Sequence, residues 1–311
     1  MSDTLESLRH KIDSAAELDS VVRTMKALAA SSIVQYERAV HSLDDYYRTV
    51  ELGLVAGLHQ PGAAIHVADE ARAQGGRIRH GTIGAVMFGS DQGLVGQFNE
   101  VLADFAITKL SAMPAKKNIW TVGDRVQGYL DDAALPASGN FPVPNSIAAI
   151  TSLVGRILTA IEKQREQGRV AQVYVFHNRP KSGAMYEPIM QRLLPLDDTW
   201  RRGLAGLPWP TKNLPEVIVD AESTLQALIR EYLFISLFRA CAESLASENA
   251  SRLAAMQRAE KNIDELLEDL NQTFHRLRQS SIDEELFDVI SGFEALAASR
   301  QTGRNAENRE A

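Results

Sequence analysis

The residues best suited by type to do chemistry lie in Gly89–Asn99, GSDQGLVGQFN. The stretch follows Thr82–Phe88 (TIGAVMF), which reads as a buried strand, and leads into Gln97–Met113, which reads as a helix. Turns of that kind can cradle a phosphate, because the first amides of the helix point at the ligand. The spacing speaks against it here. The glycines fall at Gly89, Gly93 and Gly96, not at the dinucleotide spacing, and the stretch has no lysine. A tight strand-to-helix turn, with Ser90 or Asp91 capping backbone amides, accounts for the same residues. The chain has no G-x-x-x-x-G-K-S/T phosphate loop, and its seven histidines (His10, His41, His59, His66, His80, His177, His275) show no metal-ligand spacing. The one cysteine, Cys241, lies in the apolar run LFISLFRAC; it cannot form an internal disulfide and reads as a buried structural thiol. The acidic run Asp264–Asp269 (DELLED) reads as solvated helix face. The expectation is a chain with no catalytic residues and no cofactor or metal site of its own.

The elements that hold this turn fall into three segments. From Thr4 to Leu52 there is neither glycine nor proline, and apolar residues step by threes and fours: Val22, Met25, Ala29, Ile33, Tyr36, Val40, Leu43, Tyr47, Val50, Leu54. That is a coiled-coil seam on a helix roughly 75 Å long. The middle segment holds most of the glycines and the prolines. Besides the first strand and helix it offers Asn118–Val122 (NIWTV) and Val170–His177 (VAQVYVFH) as strands, Ser146–Gln167 as a long helix, and Tyr186–Leu196 as a fourth strand. Strands alternating with helices predict an α/β layer with a partly parallel sheet. Ala68–His80 reads as an exposed linker. The third segment lacks glycine and proline from Glu216 to Ser291, which as one helix would be roughly 110 Å long. Asp220 is its expected N-cap. Its seam runs Leu253, Met256, Glu260, Ile263, Leu267, Leu270, Phe274, Leu277, broken only by Glu260.

A lone amphipathic helix cannot bury its stripe. The economical arrangement is that the two seams bury each other in an antiparallel two-helix coiled coil with a Rossmann-like α/β domain inserted between them. The alternative is that each seam dimerises with a second copy. The predicted boundaries are 1–56 for the N-terminal helix, 57–215 for the α/β domain, 216–298 for the C-terminal helix, and 299–311 for a polar, disordered tail.

The bulk numbers narrow the class. A net charge of −7 and a pI near 5.6 argue against a nucleic-acid binder. The start, MSDTLESLRH, is too acidic and polar for a signal or transit peptide, and no apolar stretch is long enough to cross a membrane. A protein without direct membrane insertion is expected.

Three stretches resemble the gamma subunits of F-type ATP synthases. SENASRLAAMQRAEKN, from Ser247, resembles that family's Ser-Glu-His-Ala-Ala-Arg-Met-x-Ala-Met. FHRLRQSSIDEELFDVISG, ending at Gly292, resembles its Tyr-Asn-x-x-Arg-Gln-x-x-Ile-Thr-x-Glu-Leu-x-Glu-Ile-Val-x-Gly. TMKALAAS (Thr24–Ser31) and SDQGLVGQFN (Ser90–Asn99) are similar to its Ala-Met-x-Met-Val-Ala-Ala-Ser and Ser-Asp-x-Gly-Leu-Cys-Gly-x-x-Asn. Order and spacing agree over nearly the whole chain. The departures point to a divergent branch, such as the alternate F-type ATPase found beside a standard one in some bacteria. Asn249 replaces the motif histidine, Gln92 an arginine, Val95 a cysteine, Ser32 a lysine and Asp283 a threonine, and the PASGNFPVPN region barely matches.

The resemblance implies a central rotor shaft that enters a ring of alpha and beta subunits, its foot beside the epsilon subunit and the membrane c-ring. It implies a peripheral position on the cytoplasmic face of a bacterial plasma membrane. Matched residue by residue, Arg278 and Gln279 fall on the pair that contacts the ring, Glu285 on an acid nearby, and Met25 where the shaft faces a beta subunit. Leu286, Val289, Ile290 and Phe293 fall at an apolar bearing tip. Two other readings of the residues stay open: a coiled-coil scaffold, and an α/β ligand-binding enzyme with helical arms that uses GSDQGLVGQFN as its ligand loop.

Overall fold

The computed structural model describes residues 4–58, 82–181, 184–196, 198–213 and 220–307, with side chains on the last helix described as far as residue 292. Its elements are α1 (Leu5–Leu58), β1 (Thr82–Phe88), α2 (Phe98–Ser111), β2 (Lys117–Val122), α3 (Arg125–Asp132), β3 (Ala137–Phe141), α4 (Ile147–Glu166), β4 (Val170–Lys181), β5 (Ala184–Leu194), α5 (Asp198–Ala205) and α6 (Ala221–Glu307). The linker expected at Ala68–His80 lies outside the described residues. Two compact units result: Lys26–Ala255, and Met1–Met25 together with Met256–Ala311.

In the unit Lys26–Ala255 the strands order β3-β2-β1-β4-β5. β1 pairs parallel with β2 and β4, β2 pairs parallel with β3, and β5 returns antiparallel to β4. This is the partly parallel sheet expected. The alternation of a strand sends successive side chains to opposite faces, and both faces here are covered. Ile83, Ala85 and Met87 pack with Leu102, Ala106 and Leu110 of α2 and with Val126 and Leu130 of α3. Val86, Phe88, Val173 and Val175 pack with Leu153 and Ile157 of α4 and with Leu237, Ala242 and Leu245 of α6. A strand buried on both faces reads as a continuous apolar run, which is why TIGAVMF was so clear.

Four elements differ from expectation. β3 falls inside the stretch ASGNF, a sequence of small and polar residues with no apolar alternation, and it occupies the sheet edge where pairing is one-sided. α3 and α5, each 8 residues, are too short for a period to register. Helix α6 runs on to Glu307, so the segment 299–307, expected to be disordered, is helical in its backbone. Alanine, arginine and glutamine there are good helix formers, and the remaining four positions are outside the described residues.

Within this unit α1 and α6 are antiparallel. Moving back along α1, Gly57 lies against Leu225, Gly53 against Leu228, and Tyr47 packs its ring 5.7 Å from Tyr232. The expected seam residues Tyr36, Val50 and Leu54 are buried. Asp220 caps α6 as its position suggested, accepting from the amide of Ser223 at 2.9 Å.

In the other unit, Leu8, Ala15 and Met256 are buried, and Ile263, Leu267, Leu270, Phe274 and Leu277 are half-buried. Glu260, which interrupts the seam, faces Arg23 at 3.6 Å, and Asp264 follows at 3.9 Å. Arg23 is 58% exposed, so these pairs add little stability. They give a seam carboxylate a partner.

The approach of α1 to α6 depends on glycine. A Cβ at Gly53 would stand 3.0 Å from Leu228 Cδ2. Gly53→Val should therefore overpack the pair and cost about 1–3 kcal/mol, measured by urea denaturation of the full chain. An unchanged midpoint would show that the helices are not this close.

Candidate functional site

The first two amides of the turn after β1 are paired within the protein. The amide of Gly89 donates to Val122 O at 2.8 Å, that of Ser90 to Asn99 Oδ1 at 3.0 Å, and Asn99 Nδ2 returns a bond to Ser90 Oγ at 2.8 Å. Asp91 is a capping acid as expected, but not for the helix that follows it. Its two oxygens accept from the amides of Asp124 at 3.1 Å and Val143 at 2.8 Å, tying down the loops that enter α3 and α4. The turn after β2 lies directly over it. Gly123 has φ +97, and a Cβ there would meet the carbonyl carbon of Ser90 at 2.7 Å. The loop is a structural knot, which speaks against the ligand-loop reading.

What the loop does bind is α6. Ser244, Ser247 and Ser251 are spaced three and four apart and so lie on one face of that helix. All three are buried. Ser244 and Ser251 donate to the carbonyls of Phe88 at 2.9 Å and Val95 at 2.5 Å, and Ser247 shares its hydrogen between Asn178 O at 3.0 Å and Glu243 O of its own helix at 2.9 Å. Asn178 in turn donates to Phe98 O at 3.0 Å. The two motifs SDQGLVGQFN and SENAS, far apart in sequence, are therefore the two halves of one junction. Asn249, which stands where the resemblance expects histidine, donates to Leu245 O of its own helix at 2.8 Å.

Charged groups close the same junction. His177 Nε2 lies 2.8 Å from Glu243 Oε2, and Arg239 Nε donates to Glu243 Oε1 at 2.8 Å. Burial alone would raise the pKa of Glu243, but the hydrogen bonds from His177 and Arg239 outweigh it and hold the acid below the usual carboxylate value. Burial pushes the pKa of His177 down against the pull of Glu243. One turn on, burial raises Glu248 although Arg252 reaches it at 2.5 Å. Cys241 is buried as expected, and burial pushes its thiol up. Sequence reasoning missed this cluster. Its signal was the row of small polar residues interrupting an otherwise apolar helix face.

The residues matched to partner contacts lie in the unit that contains the ends of the two helices. Met25 is half-buried; Arg278, Gln279 and Glu285 are exposed. Leu286 (56%), Val289 (61%) and Ile290 (45%) are exposed, as are Ile282 and Phe287. The side chain of Phe293 lies outside the described residues. At ~100° per residue, Ile282, Leu286, Val289 and Ile290 share one stripe, turned roughly 140° from the seam that ends at Leu277. Phe287, 69% exposed, lies off this stripe. The run Asp264–Asp269 is solvent-facing apart from half-buried Leu267, as expected. Among the described residues, no group of three or more His, Cys, Asp or Glu side chains could hold a metal ion, and no helix is long and apolar enough to cross a membrane.

Comparison with known proteins gives consistent matches. A family model described as ATP synthase matches residues 4–296. The ATP synthase gamma chain of Janthinobacterium sp. (strain Marseille) is 24% identical over 295 residues, covering 94% of this chain and 99% of that one. The gamma chain of Leifsonia xyli subsp. xyli (strain CTCB07) is 27% identical over 311 residues, covering 96% and 99%. Among solved structures, a chain of the Euglena gracilis mitochondrial ATP synthase (OSCP/F1/c-ring, rotational state 3) aligns with a TM-score of 0.62 at 15% identity and 95% coverage of both chains. A chain from the rotor of that enzyme in rotational state 1 gives 0.58 at 14% identity, covering 89% and 98%. At such identities the structural likeness speaks for the fold.

The serine row makes a direct prediction. Ser244→Ala and Ser247→Ala each remove the donor to a buried carbonyl, and each should cost about 1–3 kcal/mol in chemical denaturation. A loss below ~0.5 kcal/mol for the double variant would mean that water or another donor replaces the hydroxyls.

Proposed function

The chain belongs to the gamma-chain family of ATP synthases, and on that premise we propose how it works as the central rotor shaft of an F-type enzyme. The family model's match from residue 4 to residue 296 carries this reading. The chain is a component of the complex that couples ion movement through a membrane ring to ATP synthesis or hydrolysis in the alpha/beta ring. It makes and breaks no bonds itself. A rotor acts by differential contact: each orientation favours one conformation of a neighbouring subunit over the others, so turning it shifts their populations in sequence.

The proposed contacts follow from what the tip exposes. Arg278 and Gln279 offer planar, multiply donating heads to acceptors on the alpha/beta ring, with Glu285 as an acid for a basic partner and Met25 as a soft contact lower down. Leu286, Val289, Ile290 and Phe293 form the bearing. Apolar side chains turn against an apolar socket without breaking directional bonds, whereas the same exposed stripe in a protein without a partner would be a liability. The epsilon subunit and c-ring would hold the foot. The relatives' bacterial sources favour the cytoplasmic face of a plasma membrane, with the chain peripheral.

Purified from its source, the chain should bring ATPase alpha and beta subunits with it; purification without any of them would overturn the reading. Within the assembled complex, Arg278→Ala combined with Gln279→Ala should lower ATP hydrolysis at least tenfold, since the charge-assisted bond of Arg278 alone is worth about 1.5–3 kcal/mol and a tenfold change is about 1.4 kcal/mol. Unchanged turnover would remove these two residues from the ring contact.

A further inference from the structure

The junction charges form a continuous chain across three elements. His177 on β4 is 1% exposed, and its Nε2 lies 2.8 Å from Glu243 Oε2 on α6. Glu243 holds Arg239 at 2.8 Å, and Arg239 reaches Asp44 on α1 at 3.2 Å. Sheet, long helix and N-terminal helix are thus tied by one polar strut. His177 Nδ1, on the other side of the ring, is buried and has no hydrogen-bond partner among the described residues. This pattern fixes the tautomer: the hydrogen sits on Nε2 and is donated to the carboxylate, and the bare Nδ1 lone pair needs no acceptor.

Protonation changes the balance. A second hydrogen on Nδ1 would be a buried donor with no acceptor among the described residues. The new positive charge would face Arg179 on its own strand and Arg239 on α6, against Glu243 alone nearby. Asp44, His41 and Glu37 on α1 lie beyond Arg239, and Glu187 on β5 already holds Arg179 at 3.0 Å. A cavity of about 300 Å³ lined by His177, Arg179, Arg239, Glu243, Tyr47 and Gln191 gives solvent and protons access to this strut.

We propose that His177 is a proton-sensitive positioning residue: neutral, it locks β4 to α6 and, through Arg239, to α1; protonated, it loosens that lock. The mechanical consequence, that torque passes less faithfully between the α/β domain and the helices, rests on the rotor reading. The lock itself does not. The sign follows from linkage. His177 has its folded-state pKa below the ordinary 6.5, so the unfolded or opened state binds more protons as pH falls past that value. Stability of the closed junction is therefore lost on acidification from about pH 6.5 downward. Glu243, also held below its ordinary value, adds a loss of the same sign at lower pH.

Hydrogen exchange of the full-length chain, corrected for intrinsic rates, tests the lock between pH 8 and 5. Segments 173–178 and 236–247 should open several-fold more at pH 5 than at pH 8, and His177→Gln, whose amide can still donate to Glu243 but does not titrate, should flatten this dependence. Glu243→Gln should open the same segments at every pH. Identical wild-type and His177→Gln profiles would overturn the proposal. In the assembled complex, the ratio of ATP-driven membrane potential to ATP hydrolysis should fall with acid in the wild type and not in His177→Gln. A chain that shows the exchange effect but joins no ATPase would refute the rotor reading and leave the lock standing.

Discussion

A sheet that ends against the flank of a helix creates a specific problem. Carbonyls near the edge of the sheet that meets the helix, and in the turn after β1, are buried and face that helix. An unpaired buried carbonyl costs about as much as a lost hydrogen bond. Here Phe88, Val95 and Asn178 present such carbonyls, and α6 answers with Ser244, Ser251 and Ser247. Much else follows from that solution. A hydroxyl reaches a carbonyl only if the helix comes close, so the facing residues must be small. The donors must recur at three and four, so the segment must stay helical there. The turn must hold its carbonyls still, which is what the hydrogen bonds of Ser90, Asp91 and Asn99 within the protein do.

The same constraint accounts for how charge is used in the unit. Glu243 and Glu248 sit on the buried side of α6, where an isolated carboxylate would be costly. Each has a cation one helical turn away, Arg239 before Glu243 and Arg252 after Glu248, and Glu243 also has His177 across the junction. Burial raises both acids, but the hydrogen bonds from His177 and Arg239 bring Glu243 below the usual carboxylate value, whereas burial, with a smaller push from Asp91, keeps Glu248 above it in spite of Arg252. Two acids five residues apart thus differ in character because of how burial balances against the donors each meets, and the first links elements by reaching His177 of β4.

How much of this was legible in the sequence depended on whether a residue's role left a period. TIGAVMF was clear because a strand buried on both faces is apolar throughout, and the Tyr36, Val50 and Leu54 seam was clear because a helix buried on one stripe repeats every three or four. ASGNF was not, since an edge strand needs only backbone pairing and its side chains carry no pattern. The serine row did have a period, but serine on a helix usually signals a solvated face, and nothing in one chain says which carbonyls wait opposite. His177 left no mark at all. Its importance comes from Glu243, 66 residues away, and only the fold brings them to 2.8 Å.

Helix α6 therefore changes its interface twice along its length. Leu237, Ala242 and Leu245 pack on the sheet core; from Leu253 to Leu277 a seam of threes and fours is half-buried; from Ile282 onward every described side chain is exposed. The apolar stripe of Ile282, Leu286, Val289 and Ile290 is turned roughly 140° from the seam, which excludes the simplest account of it as seam that has lost its mate. A frayed continuation would keep the seam's direction and fade in hydrophobicity. A stripe that reappears on another face, with the charged heads of Arg278 and Gln279 just before it, therefore needs a cause other than the companion helix of the seam.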